Sequence, residues 1–276
     1  MKKYIIFITV LILCSSNAVH AQDRILKQVM ELKMPKNTGD ELCGTRGAGV
    51  CWNPLTQKYY AAFAGNTGFP MGVFTAAGKI ISGDTLATME DIRGIWYDAA
   101  INKIMANGYN DIGWINYELD KAGIPTHYYY KYLGMNQPNE QSVGAYDNKM
   151  KRVLFLDGSR VMLYAGNSNM FVAVKDSVLI HWGRKKTEGA GDNEDALEVN
   201  QDYNSNVVAT GITNAEFGFL NTVNKEIELY GYKGGFLQQN LKLPDTAPVE
   251  ASFNFAFCNG TYWLFDIANR KWIGYK

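Results

Sequence analysis

A repeat of about 45 residues constrains this chain more than any other feature, because self-similarity at that period belongs to architectures built from stacked or radially arranged units. One unit is a glycine-containing apolar run that ends in an aromatic followed by Asn or Asp, then a turn, then a second apolar run. It occurs as Gly49-Val50-Cys51-Trp52-Asn53 leading to Tyr59-Tyr60-Ala61, as Gly94-Ile95-Trp96-Tyr97-Asp98 leading to Ile104-Met105-Ala106, and as Gly144-Ala145-Tyr146-Asp147 leading to Val153-Leu154-Phe155. The Asn or Asp positions are 45 and 49 residues apart. A short side-chain oxygen there accepts from the backbone two residues on and starts a hairpin, so these residues are read as turn formers. A second unit follows each of the first two: Val73 to Ile81 is matched by Tyr117 to Ile124, with Gly78 and Gly123 again 45 apart. Later copies run from Phe171 to Ile180, from Ile227 to Leu237 and from Tyr262 to Ile273. Two independent markers on one spacing lift the repeat above chance alternation and give five copies.

Helix signals are nearly absent, and short runs rich in Val, Ile, Phe, Tyr and Trp alternate with Gly, Asn and Asp turns. Four antiparallel strands per unit, repeated five times, predict an all-β fold, a five-bladed β-propeller. The blades are expected at 43–84, 90–132, 140–183, 204–243 and 249–276. The last is one strand short. Ile25 to Leu32 alternates apolar with polar residues, and an open blade would leave an unpaired edge, so this N-terminal segment is expected to close the C-terminal blade. A polar insertion at 184–203 breaks the pattern between blades three and four; the six-bladed alternative would need a sheet hidden there, and the segment lacks the β-branched and aromatic density for one.

Residues 1–21 are set apart from the fold. Lys2 and Lys3, an apolar run from Tyr4 to Leu13 and the small residues of Ala18-Val19-His20-Ala21 read as a cleaved secretory signal peptide. The expectation is a secreted or periplasmic protein whose single domain spans 22–276. Lipoprotein processing at Cys14 is the weaker alternative, since Leu13 stands where that signal requires Gly, Ala or Ser. The apolar run of about ten residues is half what a membrane span needs, and no later stretch approaches that length.

Composition enters at two points. An apolar content of 47% supplies a sizeable core and excludes wholesale disorder. Lys+Arg and Asp+Glu are both 27, so there is no basic face of the kind nucleic acid requires. Without the signal peptide three cysteines remain, Cys43, Cys51 and Cys258, which allow at most one disulfide; Cys43 with Cys51 would close a short loop, and Cys51 with Cys258 would tie the chain ends together.

The aromatic-Asp turns and the Gly78, Gly123 and Gly235 hairpins resemble those of secreted bacterial β-propellers of the NHL, YVTN and Kelch kind, over nearly all of residues 23–276. The resemblance implies a binding scaffold and names no substrate. No Gly-x-Ser-x-Gly elbow, phosphate-cradling glycine loop or His-Glu-x-x-His occurs, so no catalytic residue is assigned. His127 and His181 sit in predicted outer strands and are too few for a histidine zinc site. Asp192, Glu194, Asp195 and Glu198 are hard oxygen ligands of the kind calcium takes, but they lack the EF-hand spacing; neither a metal nor another cofactor is expected, and calcium is held as the weaker alternative.

Propeller ligands sit at the mouth of the central channel, so the residues entering each innermost strand are the candidates. Arg46, Asp91, Arg93, Glu140, Gln141, Asn206 and Asn254 are the expected ligand-binding set, with Glu90, Asn204 and Glu250 beside them and Trp52, Trp96 and Tyr146 available to stack. A funnel of carboxylates, amides and guanidinium groups suits a polar ligand, a glycan or a peptide. Two other readings compete: a propeller-type glycoside hydrolase or lyase using Asp91 with Glu140 or Glu250, and a protein-protein interaction module that docks another exported protein through the insertion. Carboxylate geometry separates the first two, because hydrolysis needs two carboxylates about 5 to 10 Å apart, whereas carboxylates paired to Arg46 or Arg93 indicate binding or structure.

Overall fold

The computed structural model describes residues 24–36, 46–165, 174–186 and 201–276. Among them twenty β-strands form five sheets, joined by turns and a single short 3-10 turn at Asn110–Ile112. The chain begins with two strands used later, β1 (Arg24–Ile25) and β2 (Gln28–Lys33). Blade 1 follows as β3 (Gly47–Asn53), β4 (Lys58–Phe63) and β5 (Met71–Thr75). Blade 2 is β6 (Ile92–Asp98), β7 (Lys103–Gly108), β8 (Trp114–Leu119) and β9 (Pro125–Tyr132); blade 3 is β10 (Ala145–Asp147), β11 (Arg152–Asp157), β12 (Arg160–Ala165) and β13 (Val174–Leu179). Blade 4 is β14 (Val208–Ile212), β15 (Ala215–Asn221), β16 (Glu226–Tyr230) and β17 (Leu237–Lys242). Blade 5 is β18 (Phe255–Cys258), β19 (Thr261–Asp266) and β20 (Lys271–Tyr275), with β2 as its fourth strand. The innermost strands pack in the cycle β3, β6, β10, β14, β18 and back to β3, which makes the molecule a closed five-bladed β-propeller.

Strand periodicity explains why this sequence closes a ring. Successive side chains leave a strand on opposite faces, and in a propeller each face meets a different neighbouring blade. In β4, Tyr60 and Ala62 pack toward blade 2, whereas Tyr59, Ala61 and Phe63 pack toward blade 5. In β19, Tyr262 and Leu264 pack toward blade 4, and Trp263 and Phe265 toward blade 1. Both faces are therefore buried, which is why these strands read as continuous apolar runs. The buried side chains fall into five clusters, one for each junction between adjacent blades. No central core is needed.

The repeated turns take the predicted role. Asn53 Oδ1 accepts from Leu55 N at 2.9 Å, Asp98 Oδ1 from Ala100 N at 2.8 Å, and Asp147 Oδ1 from Lys149 N at 2.8 Å. They also staple blades together: Tyr146 of blade 3 donates to Asp98 at 3.0 Å, and Tyr232 of blade 4 donates to Asp147 Oδ2 at 2.8 Å. Burial raises the Asp98 carboxyl above the ordinary carboxylate range, with the backbone donor at Ala100 and the Tyr146 hydroxyl opposing it. Gly78 and Gly123, the second marker, have φ of +80° and +74°, a conformation that favours glycine in these hairpin turns.

Two expectations need correction. Ile25 to Leu32 does not act as one strand: Gln28–Lys33 pairs antiparallel with β20 and closes blade 5, but Arg24–Ile25 pairs in parallel with β17 on the outside of blade 4. Leu26 accounts for the split. Its amide donates to Lys242 O at 2.8 Å and its side chain is buried at the junction of blades 4 and 5, so the chain crosses that junction before entering blade 5. Blade 1 has three strands where four were expected. After the Gly78 turn the chain returns to blade 1 through two isolated bridges, Ile80 to Phe74 and Ala87 to Pro70, and between them Ser82, Gly83 and Asp84 lack the branched side chains that hold a strand in a sheet. The acidic residues proposed for calcium, together with Cys14 and Cys43, lie outside the described residues; among those described, no group of three His, Cys, Asp or Glu could hold a metal ion.

Candidate functional site

Innermost strands all run in one direction, so the ring has an upper face where they begin and a lower face where they end. The expected ligand-binding residues belong to the upper face, and the structure divides them into two groups. The first is committed to holding the ring together. Asn254 Oδ1 accepts from Gly47 N at 2.6 Å, joining blade 5 to blade 1, and Asn206 Nδ2 donates to Phe255 O at 3.1 Å, joining blade 4 to blade 5. Asn107 does the same between blades 2 and 3, donating to Ser142 O at 2.8 Å and accepting from Gly144 N at 3.0 Å. Asn204 is fully buried and donates to Glu250 O and Phe253 O at 2.7 and 2.9 Å. A buried amide must satisfy both its donor and its acceptor, and here adjacent innermost strands supply the partners. These amides stitch strands rather than face solvent.

Arg93 belongs to the same group. The residue is 3% exposed. It pairs with Asp91, donates from Nε to Gln141 Oε1 at 2.9 Å and lies 4.5 Å from the centre of the Tyr109 ring. The neighbouring Glu140 carboxylate holds the Tyr109 phenol above its ordinary pKa. Glu90 turns outward: it accepts from Tyr129 at 2.7 Å and pairs with Lys131 at 2.6 Å, both on β9.

The second group is accessible. Arg46 is exposed, with its guanidinium 5.6 Å from the centre of the Phe253 ring and no carboxylate partner among the described residues. It lines a groove of about 450 Å³ on the upper face with Asn139, Gln141 and Ser205, over an aromatic wall of Trp182, Tyr203 and Phe253. Sequence reasoning missed Trp182 and Tyr203, which precede and end the polar insertion and carry no repeat signature. Trp182 is fixed by donating to Ser159 Oγ at 3.2 Å and by tilted packing on Tyr203 at 4.3 Å; Tyr203 in turn donates to the buried Glu228 at 2.8 Å.

Trp52, Trp96 and Tyr146, expected to stack beside these polar residues, lie elsewhere. They end their strands at the lower face and line a separate cavity of about 660 Å³ that fills the channel and extends between blades 4 and 5. Its axial wall is narrow: Gly49 on β3 faces Ala256 on β18, where a Cβ placed on Gly49 would lie 3.9 Å from the alanine methyl. Two positions further along the same two strands stand Cys51 and Cys258, both free thiols and both on the cavity wall. The disulfide between them, one of the alternatives open from the sequence, is not formed. Burial raises both thiol pKa values above the ordinary range, so little thiolate exists at neutral pH. In a Cys43→Ser protein lacking residues 1–21, alkylation of the folded chain at pH 8 should run at least about tenfold slower than in denaturant. Equal rates would place these thiols in water.

No protein-family model matches the chain, and no curated protein matches it. Solved structures of similar shape include an auxiliary nutrient binding protein from Bacteroides thetaiotaomicron VPI-5482, with a TM-score of 0.43 and 11% identity over 82% of this chain and 58% of that one. A streptogramin B lyase gives 0.40 and 14% over 88% and 68%, and a virginiamycin B lyase from Staphylococcus aureus gives 0.39 and 11% over 83% and 65%. The chain thus spans 58% of the nutrient binding protein's length. These are likenesses of overall shape and leave the ligand open.

Proposed function

We propose that this is an exported binding protein that holds a polar ligand, a glycan or a peptide, in the upper groove without transforming it. The observation that carries this reading is the juxtaposition of an unpaired, exposed Arg46 and the amides of Asn139 and Gln141 with the aromatic wall of Trp182, Tyr203 and Phe253. Aromatic faces take the apolar side of a sugar ring or a peptide side chain, and a guanidinium with amides takes its hydroxyls, carbonyls or carboxylate. Export rests on the basic, apolar and small-residue order of residues 1–21. The pairing of Asp91 with Arg93 supports binding over hydrolysis, since the carboxylate that would serve as base is already held by a guanidinium.

A glycan and peptide array probed with the protein lacking residues 1–21, followed by calorimetry on the best hit, tests this. Arg46→Ala should weaken that hit by about tenfold or more, the worth of one charge-assisted hydrogen bond. Binding unchanged in Arg46→Ala and in Gln141→Ala would remove the groove from consideration, and turnover of a bound glycan would replace the reading with an enzymatic one.

A further inference from the structure

The lower cavity opens on the opposite face from the groove and does not depend on what the groove binds. Its walls are mostly apolar, with Val50, Ile95, Trp96, Val207, Phe255 and Phe257 among them, and its volume of about 660 Å³ lies in the range of small-molecule sites. A largely apolar cavity of this size in a ring with well-packed blade junctions calls for an explanation, because protein interiors leave few voids larger than a water molecule. The side-chain charges on it are one-sided. Arg24, Lys149 and Lys276 line it and are exposed, and none of the three has a carboxylate partner among the described residues. Among the described residues Asp147 is the one acidic side chain on the wall. Its carboxylate is buried and occupied, accepting from Tyr232 Oη and from the amides of Lys149 and Met150. It therefore offers no counter-charge to the three cations.

We infer that the lower cavity is a second binding site, for an amphipathic anion: a ligand with an apolar body seated in the channel and a single carboxylate, sulfonate or phosphate facing Arg24, Lys149 and Lys276. An apolar body removes wall surface from water and supplies affinity; the anionic head selects among apolar ligands by meeting unpaired cations. Neither half suffices alone. A neutral alkyl chain forgoes the cations, and a bare anion such as phosphate forgoes the wall.

Calorimetry with the protein lacking residues 1–21 tests this, using decanoate, 1-decanol, decyltrimethylammonium and inorganic phosphate, each below its micellar concentration where one exists. Decanoate should bind at least about tenfold more tightly than decanol, decyltrimethylammonium more weakly than decanol, and phosphate more weakly than decanoate by a similar factor. In the Arg24→Gln, Lys149→Gln, Lys276→Gln protein, decanoate should fall to the affinity of decanol while decanol is unchanged. Arg46→Ala, on the other face, should leave decanoate binding as it is. Occupancy is checked independently of the charge variants: saturating decanoate should slow alkylation of Cys258, which lines the cavity, in the Cys43→Ser background. Equal binding of decanoate and decyltrimethylammonium, no effect of the triple substitution, phosphate binding as tightly as decanoate, or no binding by any of the four overturns the assignment.

Discussion

Leu32→Ala should lower the free energy of unfolding by about 2–5 kcal/mol, the range for deleting a fully buried aliphatic side chain that leaves a cavity, and Leu32→Asp should abolish cooperative unfolding altogether. Leu32 is 0% exposed and packs in the cluster that holds Val50, Phe63, Trp263, Phe265 and Trp272. It sits on β2, the only strand of blade 5 drawn from the N-terminal end, and pairs with Trp272. Damage here thus falls on two structures at once: the junction of blades 5 and 1, and the closure that joins the two ends of the chain. An aspartate would bury an unpaired carboxylate at that junction and free the edge of β20, a strand edge able to pair with another molecule. Urea unfolding followed by tryptophan fluorescence reads both effects, since Trp263 and Trp272 lie in the same cluster. A Leu32→Ala protein with the midpoint of the parent would mean that closure contributes nothing to stability.

The repeat made the ring legible because each blade must solve the same problem with the same parts. Asn53, Asp98 and Asp147 start a turn at the lower end of an innermost strand, and Gly78 and Gly123 have positive φ in equivalent hairpins, so their spacing reports the blade period directly. What period cannot report is where a side chain points once blades are packed. Asn206 and Asn254 look from sequence like residues facing a channel, yet each spends its amide on the backbone of the next innermost strand. The same applies to Trp96, which reads as an exposed stacking platform but packs edge-on against Trp114 at 5.3 Å inside the junction of blades 2 and 3. The groove aromatics Trp182 and Tyr203 were illegible for the opposite reason: they flank the insertion, where the repeat is interrupted, and only the folded chain brings them beside Arg46. Nor does periodicity distinguish a single closing strand over Ile25 to Leu32 from a segment that divides between two blades, which depends on the burial of Leu26 and its amide bond to Lys242.

That division of labour on the upper face yields the second large effect. Arg93→Ala should destabilise the protein by about 2–4 kcal/mol, somewhat below the 3–5 kcal/mol for breaking a fully buried ion pair because Asp91 retains 23% side-chain exposure. The loss comes from what is left behind: an uncompensated Asp91 carboxylate, a Gln141 amide without its donor and a Tyr109 ring without the cation over it. Arg46→Ala removes a guanidinium that is exposed and pairs with no carboxylate among the described residues, and should change stability by less than about 0.5 kcal/mol. The two arginines, indistinguishable in sequence as polar residues entering an innermost strand, thereby separate support from recognition. Denaturant midpoints of both single variants decide it. Adding Asp91→Asn to Arg93→Ala should recover part of the loss, because it removes the orphaned charge; if it recovers nothing, the cost of Arg93→Ala lies in lost packing on Tyr109 and not in the ion pair. A ligand whose affinity falls in Arg46→Ala at unchanged stability is bound by the groove, whereas one whose affinity falls only in Arg93→Ala is reporting a loosened upper face.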